Sequence, residues 1–137
     1  MKVAVGDLLP EQQHTPNNVQ LMLYNAALWN GHRIHFDEAY AKDVEGYPGL
    51  VIAGPLLGDW LHQVVELWLG TAGRLTKIEY SNRQASYIGE TLVAGGSVIQ
   101  VDGAQVTIEV FVKNQAGEVI APGVATAQLQ AAEPGQP

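Results

Sequence analysis

The chain reads PLLGDWLHQVVELWL from Pro55 to Leu69, and this stretch is the clearest predicted helix in the sequence. Its polar residues fall on one face, namely Asp59, His62, Gln63 and Glu66. Apolar side chains cover the rest of the circumference, so we expect a sheet to wrap around this helix. Glycines at positions 70 and 73 end it.

The chain after Arg74 has the pattern of antiparallel strands. Valine or isoleucine occupies every second position from 106 to 112, which is typical of a half-buried strand. The dipeptide Asp102-Gly103 favours a tight hairpin before this strand. The predicted elements are a strand around Ile78 and Tyr80, a hairpin of Val98–Val101 with Gln105–Val112, a turn at Asn114–Gly117, and a strand at Glu118–Leu129.

The first thirty residues predict an opening strand or extended arm and then a helix. The arm covers Gly6 to Thr15. Thr15-Pro16 favours a helix start, because a hydroxyl cap precedes a proline at the first helical position. Apolar residues then recur at helical spacing from Asn17 to Trp29. Asn30-Gly31 is expected to end this helix, since glycine readily adopts the left-handed conformation.

The next stretch, Trp29-Asn30-Gly31-His32-Arg33-Ile34-His35-Phe36-Asp37, combines several polar side chains with large apolar ones in a weakly charged chain. Only 15% of all residues are charged. Two histidines, an amide and a carboxylate beside tryptophan, isoleucine and phenylalanine favour a lined pocket over a solvated loop. A short second helix from Asp37 to Lys42, with Asp37 as its cap, and a turn at Gly46–Gly49 are expected to follow.

Composition restricts the class of protein. The 137 residues, 47% of them hydrophobic, predict one domain over residues 1–137 with a frayed tail from Ala131 to Pro137. The net charge of −7 argues against binding to nucleic acid or anionic membranes. Arg74 and Lys77 form a local basic pair that suits the phosphates of a small ligand, or else a solvated strand face. The chain has no cysteine and no membrane-spanning apolar run, so a cytoplasmic protein is expected.

The order of elements predicts an α+β fold, with one long helix packed on a curved antiparallel sheet. Together with particular residues, it resembles the hot-dog fold of the MaoC-like acyl-CoA hydratases and dehydratases, from about Thr15 to Leu129. The similar branch is that of mesaconyl-C4-CoA hydratases and mitochondrial-type hydroxyacyl-thioester dehydratases. The marks that carry the resemblance are NGHRIHFD at 30–37, YA at 40–41, VEGYPGLV at 44–51, GPL at 54–56, YSNR at 80–83 and GE at 89–90.

The resemblance implies a single hot-dog domain that forms a homodimer, or a dimer of dimers, with the sheets joined edge to edge. It also implies an enzyme that needs no cofactor. The reaction would add or remove water across the double bond of an enoyl thioester carried on coenzyme A or acyl carrier protein. The usual dyad of the family is an aspartate followed five residues later by a histidine. In this chain those positions are Asn30 and His35.

His35 is the candidate general acid and base, because a neutral imidazole titrates near neutral pH. Asn30 has an amide that does not titrate, so it is expected to orient water or substrate through its carbonyl or its NH2 group. The residues alone leave another interpretation open. In that interpretation Asn30 only caps the end of a helix, and His35 is a buried histidine with satisfied hydrogen bonds.

The dipeptide Gly54-Pro55 opens the long helix, and the N-terminus of a helix can stabilise a developing oxyanion. Proline has no N–H group, so the Gly54 amide is the expected donor. The family often has a histidine just before this glycine, where this chain has Ala53. Leu56 belongs to the apolar lining that would accept an acyl chain. The alternative is that Gly54-Pro55 is only a helix-start turn.

Four further residues have an expected role and an alternative. His32 is a candidate pocket residue, and Arg33 is a candidate partner for a substrate carboxylate or for Asp37; a surface role is the alternative for both. Asp59 and Glu66 support a rival activity, because hot-dog thioesterases commonly use a carboxylate on or near the central helix. The alternative for both carboxylates is the polar stripe of that helix.

A third possibility is a catalytically silent subunit that binds an acyl chain, and Asn30 in place of aspartate is the best support for it. His14 and His62 are interpreted as residues without a functional role. No metal site is expected, because the histidines of the polar stretch lack a convergent set of carboxylates.

Overall fold

The computed structural model describes residues 1–131, so most of the expected frayed tail, residues 132–137, lies outside the described part. Ala131 itself has no regular secondary structure. A short 3-10 turn at Arg33–His35 lies between the first two helices. The helices are α1 (Asn18–Ala27), α2 (Glu38–Asp43) and α3 (Gly54–Leu69), and the strands are β1 (Leu8–His14), β2 (Gly73–Tyr80), β3 (Leu92–Asp102), β4 (Gln105–Lys113) and β5 (Val119–Leu129).

The strands form one antiparallel sheet in the order β1-β3-β4-β5-β2. The hairpin expected at Asp102-Gly103 is present, and Gly103 has a φ of 58°, a conformation that favours glycine. The alternation expected in β4 is confirmed, since its valines and isoleucine at even positions are fully buried. Strands β1 and β2 lie at the two edges of the sheet.

Helix α3 packs on one face of this sheet and supplies much of the core. Leu57, Trp60, Leu61 and Val65 of the helix are buried in one apolar cluster with residues of β3, β4 and β5. The helix also approaches β2 closely at Gly58, where a Cβ atom would collide with the ring of Tyr80. This arrangement confirms the α+β hot-dog fold, with its sheet wrapped around a long helix.

Helix α1 begins and ends differently from the sequence prediction. Asn17, not Thr15, is the N-cap, and its Oδ1 accepts the Gln20 N–H at 2.8 Å. The Thr15 hydroxyl instead hydrogen-bonds the hydroxyl of Thr91 at 2.9 Å, because β1 carries Thr15 alongside the start of β3. The helix ends at Ala27, and Trp29, with a φ of 57°, adopts the left-handed conformation expected of Gly31.

Strand β3 is much longer than the predicted Val98–Val101. The first half of β3 was not predicted, because it contains two glycines, Gly95 and Gly96, and glycine is depleted in strands. Both are needed for close packing. A Cβ at Gly95 would lie 2.8 Å from Cζ of Phe111, and one at Gly96 would lie 2.7 Å from the carbonyl oxygen of Glu109.

Candidate active site

His35 is held in place by a second segment of the chain. It ends the 3-10 turn between α1 and α2, and 8% of its surface is exposed. Its Nδ1 lies 2.6 Å from the carbonyl oxygen of Val51. The Val51 N–H donates in turn to the carbonyl of Ile34 at 2.9 Å. The loop that carries His35 is therefore attached to the segment that leads into α3.

The hydrogen bond to Val51 determines the tautomer of His35. A carbonyl oxygen can only accept, so Nδ1 carries the proton and Nε2 of the neutral ring keeps its lone pair. Within residues 1–131, Nε2 has no hydrogen-bond partner. Burial lowers the pKa of His35 from its ordinary value of 6.5; the Val51 hydrogen bond opposes this shift, and nearby His32 adds to it. The ring is therefore neutral at neutral pH, and Nε2 is available as the base.

A cavity of about 420 Å³ lies beside this ring. Its volume is in the range of small-molecule sites. The structure brings three of the expected site residues together in its lining, namely His35, Gly54 and Pro55. The other residues of the lining are Ile34, Val51, Ile52, Leu57, Asn82, Arg83, Gln84, Ala85 and Ser86.

Gly54 is the first residue of α3 and follows Ala53, the N-cap. Its N–H makes no hydrogen bond within the described residues, as expected for the free end of a helix. The side chain of Asn82 packs directly on Gly54, so a Cβ at this position would collide with the Asn82 amide. The cavity thus contains an imidazole base, a free backbone N–H and a carboxamide.

Three residues of the lining, Asn82, Arg83 and Ser86, have no role predicted from the sequence. The loop that contains them folds back onto the segment before α3, where the Ile52 N–H donates to the Ser86 carbonyl at 2.9 Å. Ser86 is only 1% exposed, and its Oγ has no hydrogen-bond partner among residues 1–131. The only signal for this loop was the YSNR mark, which carried no indication that it meets His35.

Asn30 and His32 do not line this cavity. Asn30 lines a separate cavity of about 400 Å³ at the end of α1. Its Oδ1 accepts the backbone N–H of His32 at 3.2 Å. His32 is exposed and caps the 3-10 turn, with its Nδ1 accepting the Ile34 N–H at 3.3 Å, and its ring lies 5.8 Å from that of His35. Both residues therefore shape the turn that carries His35.

Arg33 pairs with Asp37, which was one of its two expected partners. The two side chains are 2.9 Å apart, and the guanidinium also lies 4.1 Å from the ring centroid of Tyr40. Asp37 caps α2 as expected, by accepting the Tyr40 N–H at 3.0 Å. That hydrogen bond and Arg33 hold the pKa of Asp37 below its ordinary value. Arg33 remains 57% exposed outside the cavity.

The remaining candidates lie outside the cavity lining. Ala53 and Leu56 are buried, and Leu56 belongs to the core. Asp59 accepts the Tyr24 hydroxyl at 2.6 Å, so it joins α3 to α1. Glu66 is exposed near the other end of α3. His14 stacks on Trp60 at 4.1 Å, and His62 Nδ1 lies 2.8 Å from the Gly58 carbonyl.

Two further features of residues 1–131 bear on the class of site. No group of three or more histidine, aspartate or glutamate side chains is placed to hold a metal ion in this part of the chain. None of its helices is both long and apolar enough to cross a membrane. The fold and the cavity therefore define a hot-dog domain with a candidate base beside the N-terminus of its central helix.

The chain belongs to the family described as hydroxyacyl-thioester dehydratase type 2, whose sequence model matches residues 6–88. This match covers more than half of the chain. The expected resemblance to MaoC-like hydratases and dehydratases is thereby confirmed.

Known proteins similar to this chain include two curated relatives and a solved hydratase. Mesaconyl-C(4)-CoA hydratase of Chloroflexus aurantiacus is 50% identical over 42 residues, which are 31% of this chain and 15% of that protein. The mitochondrial hydroxyacyl-thioester dehydratase type 2 of Schizosaccharomyces pombe is 44% identical over 43 residues, 31% of this chain and 14% of that protein. This chain thus matches only a small part of either relative.

The solved structure is the (R)-hydratase from A. caviae involved in PHA biosynthesis. It superimposes with a TM-score of 0.86 over 93% of this chain and 98% of that one. Its sequence identity to this chain is 17%, so the likeness establishes the fold alone.

Proposed function

We propose that this protein is an enoyl-thioester hydratase, or a 3-hydroxyacyl-thioester dehydratase in the reverse direction, with His35 as its general acid and base. The observation that supports it best is the Nδ1–H tautomer of His35, held by Val51 beside a cavity that also contains the Gly54 N–H. The family to which the chain belongs points to the same reaction class.

Each group has a defined task in hydration. His35 Nε2 takes a proton from water as the water oxygen bonds to the β-carbon of the enoyl thioester. The electron pair of the double bond moves toward the thioester oxygen, where the Gly54 N–H stabilises the developing negative charge. The imidazolium then returns the proton to the α-carbon. Water has been added, and the histidine is again neutral.

Asn30 has a positioning role in this proposal. Its Oδ1 is used by the His32 N–H, so the residue closes the turn that leads into His35. Its Nδ2 makes no hydrogen bond within residues 1–131, but it lies outside the cavity of His35, so the residue acts through the turn. His32 and Arg33 support the same turn, because Arg33 ties it to Asp37.

The proposed substrate is an acyl thioester of coenzyme A or of acyl carrier protein, and the proposed assembly is a homodimer or a dimer of dimers. Helix α1 leaves an exposed apolar face, which is unusual for an isolated domain. The exposed residues are Val19, Met22 and Leu23 of α1, with Leu28 and Trp29 directly after its end. We propose that a second copy covers them and that edge strands extend the sheet between the copies.

The test is to follow the enoyl-thioester absorbance of a panel of short and branched enoyl-CoAs, with a free-thiol assay in parallel. We expect loss of the absorbance without thiol release. His35→Asn retains an N–H for the Val51 carbonyl but removes the base, so activity should fall about a hundredfold or more while the fold persists.

A matched control is available in His62. Its Nδ1 also contacts a backbone carbonyl, that of Gly58, but it lies outside the cavity, so His62→Asn should retain activity. Equal losses in the two variants would remove His35 from the mechanism. Thiol release would instead indicate a thioesterase. No reaction with either coenzyme A or carrier-protein thioesters would favour a silent acyl-binding subunit.

A further inference from the structure

Arg83 occupies a position that the reaction described above does not use. It lies in the loop after β2, where its backbone N–H donates to the Ile120 carbonyl at 2.9 Å. This bond anchors the loop to β5. Arg83 lines the cavity of His35 and also a groove on the sheet, and it is exposed, so it lies where the cavity meets solvent.

The charge of Arg83 is not balanced within the cavity. Among the described residues that line it, Arg83 is the only one with a formal charge. The adjoining groove contains Glu79 and Glu109, but neither forms an ion pair with Arg83 in residues 1–131. Glu79 is paired with Lys77 at 3.2 Å. A cation at the opening therefore lacks a protein counter-ion in a chain whose net charge is −7.

The other basic residues near a candidate ligand are less suitable. Arg33, the expected partner of a substrate carboxylate, is held by Asp37 and Tyr40 outside the cavity. Lys77 is paired with Glu79, and Arg74 lines a different cavity beside Glu66. Arginine presents a planar fork of N–H donors that matches the oxygens of a carboxylate or a phosphate.

We propose that Arg83 binds an anionic group of the thioester substrate, either a carboxylate on the acyl group or a phosphate on the carrier. The inference rests on the proposed function, since it assumes that a thioester occupies the cavity. It makes Arg83 a determinant of substrate choice: the preferred thioester carries a negative oxygen group within reach of the cavity opening.

The test measures binding without turnover. Four saturated thioesters, which cannot be hydrated, are titrated by calorimetry: butyryl-CoA, glutaryl-CoA, butyryl-pantetheine and glutaryl-pantetheine. The proteins are the wild type, Arg83→Gln, Arg83→Lys and Arg74→Gln. Arg74 is an exposed arginine away from the cavity. Arg74→Gln therefore removes the same charge as Arg83→Gln and serves as the control. Melting temperatures of all four proteins verify that the variants are folded.

We expect Arg83→Gln to weaken binding about tenfold for the ligands that carry the relevant anion, with Arg83→Lys intermediate. A loss confined to the two glutaryl esters identifies an acyl carboxylate, and a loss confined to the two CoA esters identifies a carrier phosphate. Butyryl-pantetheine, which has neither group, should bind both proteins equally.

Equal Kd values for wild type and Arg83→Gln with every ligand would overturn the inference. So would the same loss with butyryl-pantetheine, or the same loss in Arg74→Gln. In each of these cases the wild type still binds thioesters, so the proposed function stands. Failure of the wild type to bind any of the four ligands would overturn this inference, whereas the proposed function would be decided by the absorbance assay with carrier-protein thioesters.

Discussion

The two ring nitrogens of His35 have different surroundings, and this difference gives the residue its chemical character. Nδ1 is tied to the Val51 carbonyl, whereas Nε2 has no partner among the described residues. Burial lowers the pKa of the ring, so the neutral base persists below its ordinary titration range. Asn30, the other member of the expected dyad, supports the turn that positions this ring.

The pH dependence of kcat/KM should report the lowered pKa of His35. The base is active when neutral, so activity falls only as the pH drops through the folded-state pKa, which lies below 6.5. Between 6.5 and that lower pKa the unfolded chain binds a proton that the folded chain does not, so stability decreases as the pH falls through this interval. If kcat/KM already declines above pH 6.5, and declines at the same pH in His32→Gln, the titrating group is not His35 with a lowered pKa.

Replacement of Asn30 should separate its positioning role from proton transfer. Asn30→Asp retains an oxygen that accepts the His32 N–H, so we expect hydration to persist or increase. Asn30→Ala loses that acceptor, and misplacement of His35 should lower kcat/KM by about ten- to a hundredfold. Steady-state kinetics on one enoyl-CoA compare the two variants. Wild-type kinetics in Asn30→Ala would show that the turn does not need this side chain.

At the scale of elements, the position of α3 depends on how closely it approaches its neighbours. Gly58 lets the helix lie against Tyr80 of β2, and Asp59 accepts a hydrogen bond from Tyr24 of α1. Burial and this hydrogen bond raise the pKa of Tyr24 above its ordinary value, which favours the protonated phenol as the donor to Asp59. These contacts locate the N-terminus of α3, and with it Gly54, relative to the loop of His35.

Gly58→Ala should destabilise the protein by about 1–3 kcal/mol, because the new methyl group must displace the ring of Tyr80. Urea unfolding measures the change. Gly49→Ala is the control, since a Cβ there meets no atom within 4 Å and its free energy of unfolding should barely change. The cost of Gly58→Ala should decrease in a Tyr80→Leu background. If Gly58→Ala lowers the free energy of unfolding equally in the wild-type and Tyr80→Leu backgrounds, the strain arises at a contact other than Tyr80.

At the scale of the whole molecule, several apolar side chains of the described residues are exposed, and one group of them lies on α1 and just after it. Trp29 is 94% exposed and adopts a left-handed backbone conformation that is costly for a residue with a side chain. It adjoins the exposed apolar residues of α1. This combination is the structural support for the proposed homodimer.

Trp29→Gly removes the backbone strain and the exposed apolar surface together. It should therefore weaken association only if Trp29 lies in a dimer interface. If a second copy covers Trp29, sedimentation should show a Kd for the dimer at least about tenfold weaker than that of the wild type. Leu67→Ser, which alters an exposed leucine of α3, is the control and should leave the dimer intact. A wild type that sediments as a monomer at all concentrations would contradict the proposal.

Local pattern was sufficient to predict the elements of this protein. The apolar circumference of residues 55–69, the alternation in β4, the Asp102-Gly103 hairpin and the cap at Asp37 each depend on neighbours in the chain, and each is present. Local pattern failed where the choice of residue depends on contact with a residue that is distant in the sequence. Gly95 and Gly96 resemble strand breakers, yet β3 needs them because Phe111 and Glu109 lie against them.

The sequence by itself therefore determined the fold class, the central helix and His35 as a candidate base, because periodicity, capping and turn chemistry act over a few residues. Only the tertiary structure decided what surrounds His35. The Asn82–Ser86 loop reaches it by folding back across the chain, while Asn30 lies on the other side of its turn and Arg33 is held by Asp37. Such neighbours depend on long-range chain closure, which no short stretch of sequence encodes.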